Sequence, residues 1–172
     1  MFLNYIIDFL VKKTLKNSLQ DLKTDHSNAV VQTVGLLLDV TNFASTKLLI
    51  AELLTHGILE KNIKTIVYCD TLNKKVGLKN PIFNGAQLKW NGEITSPEIN
   101  DFTNEKFDLL ISFYDIEKAI LMQITHNAKA QFKVGFASID ERLNHLIIKT
   151  EINNYVVFVN ELFKYLKLLN KI

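Results

Sequence analysis

The stretch from Phe107 to Phe136 constrains this chain more than any other: FDLLISFYD, then EKAILMQITHNA, then KAQFKVGF. It reads as strand, helix, strand. Each strand is a near-continuous apolar run, the pattern of a strand buried on both faces. A helix between two such strands is the repeat of a parallel sheet, because parallel neighbours need a long crossover. VQTVGLLLDV, Val31 to Val40, and IKTIVYC, Ile63 to Cys69, are two more buried strands. Between them a helix is predicted over Ser45 to His56, with Gly57 at its C-cap position.

The remaining segments complete an α/β reading. Thr24 to Ala29 is polar and linker-like, and Thr71 to Asn84, with Lys74, Lys75, Lys79 and Pro81, reads as a loop. Ala86 to Trp90 is predicted as a short strand before a turn at Asn91-Gly92. Ser96-Pro97 suits the cap and first position of a helix running to about Asn104. Asp115 or a neighbour starts the next helix, Leu146 to Lys149 is an edge strand, and Tyr155 to Leu169 is the closing helix. The expected fold is one α/β, Rossmann-like three-layer domain over residues 30–172, with a mainly parallel sheet of about five strands. An amphipathic N-terminal helix over residues 1–23 precedes it. Asn4, Asp8, Lys12, Lys16, Gln20 and Lys23 form its polar stripe, with Asp8 and Lys12 an i,i+4 pair. Leu3, Ile6, Ile7, Leu10, Leu15, Leu19 and Leu22 form the opposite side. Such a helix packs on its own domain, on a protein partner or on a second copy in a homo-oligomer.

Composition removes several function classes. Of 20 basic residues in 172, Arg142 is the one arginine. Base-edge reading and bidentate phosphate clamps favour arginine's fixed fork, so specific nucleic-acid binding is not expected. No uncharged apolar stretch approaches the roughly 18 residues that span a bilayer. A single cysteine, Cys69, excludes an intramolecular disulfide framework and reads as a core residue. That fits a reducing cytoplasm. His26, His56, His126 and His145 have no metal-ligand spacing, and no metal is expected.

Ligands of an open parallel sheet bind beyond the carboxyl ends of its strands. Those ends offer Asp39, Thr41 and Asn42; Asp70; Ser112, Tyr114 and Asp115; and Ser138 and Arg142 with Asp140. They are the candidate ligand-binding residues. Asp70 stands where a ribose-binding acid would. The first turn of a dinucleotide site needs G-x-G-x-x-G for close backbone approach, and here it is DVTNFASTK, without glycine. NAD and FAD are therefore not expected, nor is a nucleoside triphosphate on a P-loop, since G-x-x-x-x-G-K-[ST] is missing. No cofactor is expected. Asp115 with Glu117, and Asp140 with Glu141, read as helix-start acids rather than acid–base pairs. Ser112 is not in a G-x-S-x-G elbow.

Two resemblances follow from these motifs. The Lys-rich first helix, VGLLLD, EKFDLLISFYD, KAQFKVGF and ELFKYLKLLNKI together resemble an uncharacterised family of small proteins of Bacteroidota, which brings no activity with it. NEKFDLLISFYDIEKAILMQITHNAKAQFKVGF is similar to a segment of heptosyltransferase-type glycosyltransferases. There a strand, a helix and an "AK…GF" strand end the N-terminal, acceptor-side Rossmann-like domain. Those enzymes carry a glycine and an acidic residue after the first strand, where the catalytic base lies. Here that place reads VTNFAST. The resemblance implies an acceptor-side half standing alone, with no catalytic residue carried over. The leading expectation is a non-catalytic binding or scaffolding protein. The alternatives are a small-molecule enzyme or sensor for a sugar- or phosphate-containing ligand at the strand ends, and a peripheral subunit of a membrane or large complex docked through the first helix.

Overall fold

A computed structural model describes residues 2–20, 22, 30–71 and 80–172. The linker-like stretch at 24–29 and most of the Lys-rich loop, 72–79, lie outside the described residues. The elements run α1 (Phe2–Ser18), β1 (Val34–Asp39), α2 (Thr46–Thr55), β2 (Ile63–Tyr68), β3 (Ile82–Phe83), α3 (Pro97–Asn104), β4 (Lys106–Phe113), α4 (Ala119–Asn127), β5 (Lys129–Phe136), β6 (Leu146–Ile148) and α5 (Tyr155–Leu168). The fold is α/β, as the apolar runs predict. Its one six-stranded sheet is parallel throughout, in the order β3-β2-β1-β4-β5-β6. That is the order of doubly wound nucleotide-binding folds, with the switch point between β1 and β4.

Helices cover both faces of the sheet. Successive strand residues point to opposite sides, and β4 shows where each side leads. Ser112 reaches Thr125 on α4, while Phe113 stacks edge-on against Phe158 of α5. Every residue of β1 is buried, which explains why VGLLLD carries no polar alternation. Phe43, Phe113, Phe136 and Phe158 make the aromatic heart of the α2/α5 side.

Several elements differ from their sequence-based expectation. The strand expected over 86–90 is a 3-10 turn at Gly85–Gln87 followed by one bridge, Leu88 to Ile94. The sixth strand, β3, lies in the stretch expected as loop; Pro81 accepts from Val67 and Phe83 from Cys69 to pair it with β2. α1 ends at Ser18, not near Leu22, and it sits rotated. It buries Val11 and Leu15, with Leu19 just past its end also buried, and leaves Leu10 45% exposed. Its Asp8–Lys12 pair forms, at 2.8 Å. Ser96 does cap α3, accepting from the Ile99 amide, with Pro97 first in the helix. No helix among the described residues is long and apolar enough to cross a membrane.

Two close fits hold the central strands. Gly35 on β1 lies under the Phe102–Phe107 pair, so that a Cβ there would stand 2.8 Å from the Phe107 ring. At the amino end, Asp108 Oδ2 accepts from the amides of Gln32 and Thr33 at 3.0 and 2.9 Å and from Thr33 Oγ1 at 2.9 Å. This ties the chain entering β1 to β4.

Gly35→Ala is expected to lower unfolding free energy by about 1–3 kcal/mol, since both rings are packed and cannot withdraw. Adding Phe107→Leu should recover part of the loss in urea unfolding. Burial raises the Asp108 carboxyl, but the Thr33 and Gln32 donors and the Lys171 charge more than reverse it and hold it below the usual range. A carboxylate with a lowered folded value stabilises above its unfolded value, near pH 4, and loses that contribution as pH falls through the folded one. Acid unfolding of the wild type should therefore be steeper below about pH 4 than that of Asp108→Asn.

Candidate functional site

The carboxyl ends of β1, β2 and β4 meet at the switch point, and a lysine fills the space between them. Asp39 ends β1 and is 6% exposed. Its Oδ1 accepts from the Thr41 amide at 2.9 Å, which turns the chain away from the strand. Its Oδ2 pairs with Lys118 Nζ at 2.8 Å. Lys118 comes from the loop between β4 and α4. The same nitrogen donates to Asp70 Oδ1 at 3.0 Å and to Thr41 Oγ1 at 3.2 Å, and lies 4.4 Å from the centre of the Tyr68 ring. Three acceptors thus match the three donors of an ammonium.

Tyr68 closes the group. Its hydroxyl donates to Asp70 Oδ1 at 2.7 Å. Burial pushes this phenol far above its usual range, and the Asp70 hydrogen bond with the charges of Asp70, Asp39 and Asp8 adds to that. It stays a donor and not a base. The Asp70 amide in turn donates to Thr41 Oγ1 at 3.2 Å. The first turn offers no approach for a phosphate, since Val40 and Phe43 are buried where a glycine-rich loop would leave room.

α1 lies across the α4 end of this edge. Asp8 Oδ1 accepts from the Ala119 amide at 2.7 Å, capping α4 from another element. Lys16 pairs with Glu117 Oε2 at 2.6 Å, and Lys12 donates to the Glu117 carbonyl at 3.2 Å. Glu117 Oε1 accepts from the Asp140 amide at 3.0 Å. A cavity of about 330 Å³ remains beside Lys118, walled by Tyr5 and Asp8 of α1, Tyr68, Asp70 and residues 84–86.

Of the strand-end residues singled out by sequence, Asp39, Thr41 and Asp70 come together around Lys118. The others go elsewhere. Asn42 is exposed on the turn. Ser112 and Tyr114 are buried under α4, where both meet Thr125 Oγ1, at 3.1 and 2.8 Å. Asp115 is half-buried and its carbonyl accepts from Ser138 Oγ at 2.8 Å, joining two loops. Arg142 forms a fork on Asp140, Nε to Oδ1 at 2.9 Å and Nη2 to Oδ2 at 2.7 Å, and its Nη1 reaches the Leu19 carbonyl at 3.4 Å. That pairing holds the Asp140 carboxyl below the usual range. Lys118, Tyr68, Asp8 and Glu117 carry the edge without having been expected to. Lys118 had one available signal, a lone cation in a strand-end loop facing two strand-end acids. No group of three or more metal-ligating side chains stands together among the described residues.

Residues 8–169 match the family of unknown function DUF6913, and the chain belongs to that family. No curated protein and no solved structure matches it.

The ion pair of Lys118 with Asp39 is largely out of water, with side chains 16% and 8% exposed. Removing one partner strands a buried charge. Lys118→Met is expected to cost about 3 kcal/mol and Asp39→Asn a similar amount, while the double variant should lose at least 1 kcal/mol less than their sum, roughly. Urea unfolding of the four chains measures this.

Proposed function

We propose that this DUF6913 protein is a non-catalytic binding or scaffolding protein, built on a half-domain of glycosyltransferase-like ancestry. The observation that carries the reading is Lys118. Its ammonium occupies the place at the switch point where a parallel sheet of this order receives its ligand, and all three of its donors are spent on the protein's own Asp39, Asp70 and Thr41. An enzyme needs groups held ready for a substrate, with a nucleophile or base in reach of it. Here the carboxylates of Asp39 and Asp70 are paired with Lys118, the phenol of Tyr68 is held as a donor, and Ser112 and Tyr114 are sealed in the core. The similarity of Phe107 to Phe136 to the acceptor-side half of heptosyltransferases supports the ancestry, and the VTNFAST turn supports the loss of the base. The outward side chains Tyr5 and Phe9 of α1, 71% and 55% exposed, suit contact with a protein partner or a second copy. The buried free thiol of Cys69 goes with a reducing compartment.

The cavity beside Lys118 favours one other reading, a sensor for a small sugar- or phosphate-containing ligand. Both readings face the same experiment. The wild-type chain is incubated with millimolar nucleoside diphosphate sugars and dinucleotides, and both melting temperature and nucleotide release are followed. A ligand at ten times its Kd would add about 1.4 kcal/mol and raise Tm by about 3–5 °C. No shift and no release is the expected result. Release of nucleoside diphosphate that disappears in Asp39→Asn overturns the proposal, and a shift without release moves the weight to the sensor.

A further inference from the structure

A second inward lysine stands in the opposite environment. Lys133, on β5, is 5% exposed. Its Nζ donates to the carbonyls of Thr125 at 2.7 Å and His126 at 3.1 Å, in the last turn of α4. Lys118 has two carboxylates; Lys133 has none among the described residues. A cavity of about 310 Å³ opens beside it, between the end of α1 and the end of α4. Among the described residues, the titratable side chains lining that cavity are His126, Lys133 and Arg142, the last paired with Asp140, and it shares no lining residue with the cavity beside Lys118.

Two carbonyls take two N–H groups and leave one tetrahedral position on the nitrogen. In an ammonium that position is a third N–H, costly to bury without an anion. In a neutral amine it is the lone pair. Burial with no charged partner draws the Lys133 amine down to about 8, toward the form that is a nucleophile.

We propose that this cavity captures a small anionic carbonyl compound, such as a 2-oxo acid, which Lys133 holds as an imine. The lone pair attacks the carbonyl carbon and the C–N bond forms. The π pair moves to oxygen, which takes up a proton as the nitrogen gives one up. The hydroxyl then takes the second N–H proton and leaves as water while C=N forms. One water is released, and nothing is oxidised or reduced. The ligand's acid group lies toward the basic lining, where Arg142 is held in place by its fork on Asp140. Capture is stoichiometric and stands on different residues from the switch point, so its failure leaves the non-catalytic reading intact.

Reductive trapping on the unmutated full chain tests this. The protein is incubated with glyoxylate and cyanoborohydride at about pH 7.5, digested, and its lysines mapped by mass spectrometry. At that pH an amine titrating near 8 is roughly a quarter neutral and an ordinary lysine roughly a thousandth. Lys133 should carry the adduct at least about tenfold above exposed Lys13, Lys106 and Lys149. The excess should vanish in urea, and propionaldehyde, which has no acid group, should label Lys133 several-fold less. A ratio under about tenfold, or one that persists in urea, overturns the imine site. Equal labelling by propionaldehyde overturns the anionic ligand.

Discussion

All six strands run the same way, so all their carboxyl ends open on one edge of the sheet. That constraint shapes the rest of the molecule. Loops leaving a parallel edge carry backbone and side-chain polar groups that must find partners or water. Here the partners come from inside the chain. Lys118 gathers Asp39, Thr41 and Asp70 from the ends of β1 and β2, and α1 supplies Asp8 and Lys16 to the start of α4. The N-terminal helix is therefore held through polar groups as well as through Val11, Leu15 and Leu19. This is why it sits rotated from the orientation that its apolar residues alone would choose.

The two inward lysines show how environment sets the character of one side chain. Lys118 sits between two carboxylates and over an aromatic ring. Lys133, against helix-end carbonyls and a basic cavity, gains only partial negative charge from the end of α4. Burial then decides its protonation. The first lysine closes a site by pairing. The second gives two hydrogen bonds to carbonyls and lines a cavity.

Much of the fold was legible in the chain, and its limits have physical causes. VGLLLD and KFDLLISF announce strands covered on both faces, and Ser96-Pro97 announces a helix start, because in each case the signal is local. β3 is two residues long, too short for any periodicity, and exists through its pairing with β2. α4 begins at Ala119 and not at Asp115 because its cap, Asp8, lies 111 residues away in sequence. The candidate site divides along the same line. Asp39, Thr41 and Asp70 could be placed at strand ends from sequence. The cation between them belongs to a different crossover and is joined to Asp39 by folding alone. Ser112 and Tyr114 share that edge in sequence terms, yet they point under α4, where Thr125 meets both.

Lys118 is more than a plug. A buried ion pair is a weak source of stability, since removing two charges from water offsets most of their attraction, and apolar side chains of similar size often serve as well. What the pair provides is direction. An ammonium with three acceptors fixes three separate chain segments at once: the turn after β1, the turn after β2 and the loop before α4. Apolar packing would hold these loops close without holding them in register. The same loop that carries Lys118 also carries Glu117, which Lys16 of α1 engages, and leads into the amide that Asp8 caps. The register of the switch point and the seat of the first helix are therefore set by one short segment, residues 117–119. The exposed side of α1 is, by this chain of contacts, anchored to the centre of the sheet.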